Sequence, residues 1–134
     1  MPKTWVEKRN VNKEPKLVKL EASFADIPAE SMMLVATPKL VDEYIKQIPK
    51  GSQVDLKTLR KDLAAEFHAD HACPLSTAIF VRISAEAAFE ELNKGKPLSD
   101  ITPFWRVIAP GSKMAAKLAC GEKFLQDQLN LEKA

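Results

Sequence analysis

Pro103-Phe104-Trp105-Arg106-Val107-Ile108 sets two adjacent aromatics and an arginine inside an otherwise aliphatic run. With Ile101 and Thr102 ahead of it, the stretch predicts a strand from Ile101 to Ile108, and Ala109-Pro110-Gly111 turns the chain away. Neighbouring side chains of a strand point to opposite faces, which leaves Phe104 and Trp105 two fates. They fill the core, the commoner place for aromatics, or they line a cavity and stack on a planar ligand.

After this stretch, Ser112 to Leu131 reads as a final helix, interrupted or restarted around Cys120-Gly121. Before it, a long Ala-rich helix starts at Pro74 and runs to Asn93, with Gly95 as its terminator. Leu75, Ile79, Ile83, Ala87 and Phe89 give that helix a partly apolar face. His68 to Cys73 is a turn-length connection to the helix ahead of it. That helix has Asp55 as N-cap, Val54 placed to staple onto Leu59, and a stripe of Leu56, Leu59, Leu63 and Phe67. Further upstream, Thr37-Pro38 is an N-cap followed by proline at the first helical position. The helix it opens has Leu40, Val41, Tyr44, Ile45 and Ile48 on one face and ends at Pro49-Lys50-Gly51.

Met32 to Ala36 is a short apolar run, either an edge strand or a buried lead-in. Residues 1–31 show no sustained periodicity and contain Pro2, Pro15 and Pro28, so they are expected to form a largely irregular tail. The first twenty residues set six cations against two carboxylates, a local charge of +4 suited to phosphate contacts or simply to a solvated terminus.

The chain of 134 residues is long enough for one modest core, and 46% hydrophobic with 28% charged residues is ordinary for a globular protein. Its net charge of +2 does not by itself declare a nucleic-acid partner. No apolar run approaches the length of a membrane span, and the N-terminus has no hydrophobic signal core. The two cysteines, Cys73 and Cys120, have neither disulfide nor zinc spacing and suit a reducing, cytoplasmic setting.

A helix, a short turn and a second helix with small residues near its start is the layout of a helix-turn-helix. Followed by a strand and a turn, it suggests a winged-helix domain over residues 32–134, mostly α with a small β component.

From residue 37 to 132 the order of elements resembles the C-terminal, DNA-binding domain of the alkylguanine-DNA alkyltransferases (methylated-DNA–protein-cysteine methyltransferases). Pro103-Phe104-Trp105-Arg106-Val107 is similar to that family's Pro-Cys-His-Arg-Val. Ile48-Pro49-Lys50-Gly51 resembles its Ile-Pro-x-Gly, and Val54 to Ala64 its second helix, without the Tyr near the start. Pro74 falls at the head of the recognition helix. Lys117, Gly121 and Leu131-Glu132 resemble features of the last helix. A nearer resemblance, extending into the N-terminal tail, is to small bacterial proteins that share the domain but lack the nucleophile. They carry Thr-Pro-x-x-Val, Cys-Pro-Leu-Thr-Thr-Gly-Ile-Phe and Thr-Pro-Tyr-Trp-Arg-Val, whose counterparts here are residues 37–41, 73–80 and 102–107.

The resemblance implies a scaffold without its reaction. Alkyl transfer needs a thiolate with a neighbouring base. Phe104 stands at the family's Cys and offers no nucleophile. Trp105 stands at its His and has an N–H donor without a basic lone pair. The chain is therefore expected not to be an enzyme, and to need no cofactor and no metal. Glu132 lies where the family's Glu orients the His, and with nothing left to orient it is expected to be a surface carboxylate at a helix end. Ala78 occupies the position of the Arg that holds a flipped base out of the stack, and Arg82, one turn on, reaches a phosphate or is simply solvated. Cys73 precedes a helix N-terminus near His68 and His71; a capping, buried thiol with both histidines at the surface is the plainer reading of the three.

The resemblance further implies a non-enzymatic DNA-binding protein of the alkyltransferase-like kind, one that recognises alkylated bases in DNA repair. Duplex phosphates would be held by Lys57, Arg60 and Lys61, with Arg82 a further contact and Ser76 and Thr77 near the bases. Phe104, Trp105 and Arg106 would form the base pocket. The expected partners are DNA and repair proteins, with no membrane and a monomeric state. The competing reading is a protein-interaction winged-helix module that has lost DNA binding. A third, an enzyme using Cys73, would require that thiol to take up the alkyl group.

Overall fold

A computed structural model describes residues 4–133. The elements run α1 (Trp5–Arg9), β1 (Lys16–Lys19), β2 (Met32–Val35), α2 (Pro38–Lys46), α3 (Leu56–Glu66), β3 (His71–Ala72), α4 (Pro74–Asn93), 3-10 turns at Leu98–Asp100 and Phe104–Arg106, α5 (Lys113–Lys117) and α6 (Gly121–Lys133). The protein is mostly helical, with a three-stranded sheet of order β1-β2-β3.

The helix starts follow their capping residues. Thr37 Oγ1 accepts the Leu40 amide at 3.1 Å with Pro38 in the first turn, and Asp55 Oδ1 accepts the Thr58 amide at 2.8 Å. Ser112 Oγ caps α5 through the Ala115 amide at 3.2 Å, and the chain restarts at Gly121 as expected. Helix α4 keeps the expected bounds, and Gly95 beyond it takes a φ of +104°, a left-handed geometry that stops a helix at little cost for glycine.

α4 runs through the middle of the molecule and packs against α1, α2, α3 and the 104–106 turn. It buries Thr77, Val81, Ser84, Ala85, Glu86, Ala87 and Ala88, residues on every side of the helix, which small side chains permit because neighbouring backbones can come close. Leu34, Val41, Ile45, Leu59, Leu63, Phe104 and Leu125 complete the core around it.

Asp42 ties these pieces together from inside. Its Oδ1 accepts hydroxyls from Ser84 at 2.5 Å and Thr102 at 2.7 Å, and Lys46 reaches Oδ2 at 3.2 Å. A carboxylate only 4% exposed is thereby fully supplied with donors, and α2, α4 and the segment after residue 101 are held to one another.

Two expectations are corrected. In place of the strand foreseen from Ile101 to Ile108, the chain makes a 3-10 turn over Phe104–Arg106: Arg106 N donates to Pro103 O at 3.0 Å and Val107 N to Phe104 O at 3.1 Å. Residues 101–105 are buried on all sides, and a run buried on both faces has no alternation to mark it as a strand. One bond to a neighbour, Val54 N to Arg106 O at 2.8 Å, replaces the strand ladder there. Met32–Val35 is not an edge strand but the middle one, antiparallel to β1 and parallel to β3. The connection before Cys73 accordingly contains β3.

The N-terminal segment, expected to be largely irregular, carries two short elements, α1 and β1, with irregular chain between and after them. Thr4 and Glu7 form a capping box that starts α1, and Arg9 pairs with Glu91 of α4 at 2.6 Å. Trp5 N donates to Glu90 at 3.2 Å, and β1 pairs with β2. A five-residue helix is too short to show a period and stands on tertiary contacts, and all four residues of β1 are exposed, so no alternation betrays it.

Candidate functional site

Glu132, near the end of α6, is the centre of a polar cluster. Its Oε2 accepts the Trp105 indole N–H at 2.7 Å and the Arg106 Nη2 at 2.7 Å, while Arg106 Nε lies 3.0 and 3.1 Å from its two oxygens. The Gly51 amide adds a fourth donor at 3.2 Å, and Arg106 Nη1 caps the Ile48 carbonyl at 2.7 Å. Gly51 presents that amide at a φ of +87°, where a residue with a Cβ would be strained.

The side chains of Glu132 and Arg106 are 8% and 15% exposed. Burial pushes the carboxyl's pKa upward, but hydrogen bonds from Arg106, Trp105 and Gly51 outweigh it and hold the group down at about 2. Glu132 is therefore a buried, ionised anchor, which corrects its expected place on the surface. The sequence carried one signal for this, the resemblance of Glu132 to an orienting glutamate. The partners of Glu132 include the Trp105 indole, whose single donor suits a carboxylate.

Trp105 forms part of the wall of a cleft of about 560 Å3, together with Val54, Leu56, Val107 and Met114. Asp55, Arg106, Ser112 and Lys113 supply polar groups on the same lining. The cleft is mainly apolar, with a few polar groups on its lining.

Phe104 does not belong to it. It is fully buried, stacks on Phe124 at 5.8 Å and meets Trp105 edge-on at 5.4 Å, so of the two aromatics Phe104 is core and Trp105 is both core and cleft wall. The expected base pocket thus retains Trp105 and Arg106 and loses Phe104.

The residues expected at phosphates and bases separate into three groups. Lys57 and Lys61 are exposed on α3 and flank a shallow cleft of about 440 Å3. Arg60, on the same lining, is committed elsewhere: two bonds of 2.9 Å to Asp26 and bonds of 3.0 and 3.2 Å to the Ala72 carbonyl fasten the 22–31 loop to α3. Arg82 is paired with Glu86 at 3.6 Å, donates to the Lys117 carbonyl at 3.4 Å and lies 5.5 Å from the Trp5 ring, so it is engaged within the protein. Ser76 is half-buried at the head of α4. Thr77 is wholly buried and its hydroxyl donates to the Cys73 carbonyl at 2.6 Å, so it cannot meet a base.

Cys73 is buried and caps α4, its Sγ accepting the Ser76 amide at 3.5 Å. His68 is exposed and His71 half-buried. No group of three His, Cys, Asp or Glu able to hold a metal occurs among the described residues. No described helix is long and apolar enough to cross a membrane. Compared with family profiles, with curated proteins and with solved structures, the chain matches none.

Proposed function

We propose that this chain is a non-catalytic DNA-binding protein of the alkyltransferase-like kind, a variant winged helix-turn-helix that receives an extruded, alkylated base in the cleft beside Trp105. The observation that carries this reading is the Trp105–Glu132 contact of 2.7 Å, bridging 27 residues of sequence. The resemblance assigns those two places to a histidine and the glutamate that orients it, and their meeting supports the alignment of both ends of the motif at once.

With phenylalanine at the nucleophile's place and indole at the base's, the cleft offers stacking and hydrogen bonding and no group to take the alkyl carbon. Lys57 and Lys61 are the phosphate contacts this reading uses, with Ser76 nearest the bases. Two free thiols accord with a cytoplasmic setting.

Anisotropy titrations with a plain duplex and an O6-alkylguanine duplex test it. Tighter binding of the alkylated duplex, weakening steeply as salt rises from about 50 to about 300 mM, is expected. Equal binding of the two, or binding insensitive to salt, overturns it.

A second reading, a protein-interaction module that kept the fold and lost DNA, is favoured by the head of α4. Leu75 and Ile79 there are 61% and 57% exposed, and Arg82 is engaged within the protein. Failure of both duplexes to bind at low salt selects it.

A further inference from the structure

Helix α4 carries its apolar residues past the core and out to the surface. Leu75, Ile79 and Ile83 succeed one another at four-residue intervals, so they lie one above another on one side of the helix. Ile83 and Phe80 floor a groove of about 500 Å3, with Val35 at the end of β2. The facing wall is the chain from α1 to β1, and it is cationic: Lys8, Lys13 and Lys16 stand there against one carboxylate, Glu14. Lys13 and Lys16 take part in no ion pair among the described residues. The groove shares no lining residue with the cleft beside Trp105, so its use does not depend on that cleft receiving a base.

An apolar floor with a rim of one sign suits an amphipathic segment of the opposite sign. A phosphate backbone would satisfy the lysines and leave the floor wet. A second copy docked face to face would set Lys8, Lys13 and Lys16 against themselves. The stripe from Leu75 to Ile83 is about 12 Å long, roughly two helical turns, the reach of the i, i+3, i+4, i+7 anchors of a docked helix. We propose that the groove between α4 and the α1–β1 connection docks an acidic amphipathic helix of a partner protein. Its apolar side chains cover Phe80 and Ile83 on the groove floor and run on over the exposed Ile79 beside it, outside the groove, and its carboxylates pair with Lys13 and Lys16.

The probe is a fluorescein-labelled peptide of about 18 residues, roughly five turns, with Leu on one helical face and Glu on the other. It is titrated with the whole protein and followed by anisotropy. Saturable binding is expected, weakened about tenfold or more by Ile79→Asp and by Lys13→Glu with Lys16→Glu, and kept by Ile79→Leu. All three positions are exposed, and unchanged circular dichroism of the variants separates lost docking from lost folding. A peptide of the same composition with its faces scrambled that binds equally well overturns the proposal, as does binding that survives both variants. Displacement of the peptide by plain duplex DNA would make the groove a nucleic-acid surface instead. A wild-type dimer in sedimentation that Ile79→Asp dissociates would make a second copy the occupant.

Discussion

Trp105 donates its indole N–H to Glu132 at 2.7 Å, and the same carboxylate oxygen receives Arg106 at 2.7 Å. Removing the acceptor strands both donors in a site with little water. Glu132→Ala is expected to lower stability by about 3–5 kcal/mol, the usual range for one half of a buried ion pair. Urea unfolding checks it, and a loss under about 1 kcal/mol would make the contact incidental.

The same carboxyl links stability to pH. It stays ionised in the folded state down to about 2, against an ordinary value of 4.5. The folded state therefore binds fewer protons than the unfolded one in that window, and stability falls as pH drops through it. Roughly 3 kcal/mol is present above pH 4.5 and is lost progressively towards pH 2. Glu132→Gln should flatten this part of the curve, which denaturant titrations at a series of pH values will show.

Asp42 is the other buried anchor, 4% exposed and bonded to Ser84, Thr102 and Lys46. Asp42→Ala leaves two interior hydroxyls without their acceptor and should cost about 2–4 kcal/mol. Asp42→Asn keeps an oxygen for them and should cost less. Thermal unfolding of the two variants side by side decides it; equal losses would place the effect in packing alone.

The two sets of cations on α3 should behave oppositely. Lys57→Ala and Lys61→Ala should each weaken duplex binding and reduce the slope of log affinity against log salt by about 1. Arg60→Ala should leave that slope near its original value and instead lower stability, because its guanidinium holds Asp26 and the Ala72 carbonyl. A drop in salt slope for Arg60→Ala alone would reverse the assignment.

Trp105→Phe keeps most of the apolar bulk and removes the N–H. A loss of about 1 kcal/mol in stability is expected, since Glu132 retains Arg106 and Gly51. If the cleft receives a base, the emission attributable to Trp105 should change when alkylated duplex is added. That response should vanish in Trp105→Phe and persist in Trp5→Phe.

The helices were legible because each start carries its own local chemistry: Thr37-Pro38, Asp55, Cys73-Pro74 and Ser112 all cap where their side chains imply. The elements that escaped have no local signature. Residues 101–105 are buried on every side, and α1 and β1 exist through partners some eighty and fifteen residues away, Glu91 and β2. At the site, residue identity gave the aromatic and charged groups, but whether a cation is free is decided by its neighbours. Nothing in the sequence announces that Arg60 meets Asp26, or that Arg82 meets Glu86.

Indole has a donor and no acceptor, so the bond from Trp105 to Glu132 runs in one direction only. A histidine in its place would change charge between about pH 5 and pH 8. Here the acceptor is a carboxylate whose pKa is held at about 2, which keeps its charge across that interval. The bond that fixes Trp105 in the cleft wall therefore does not change with acidity between those limits.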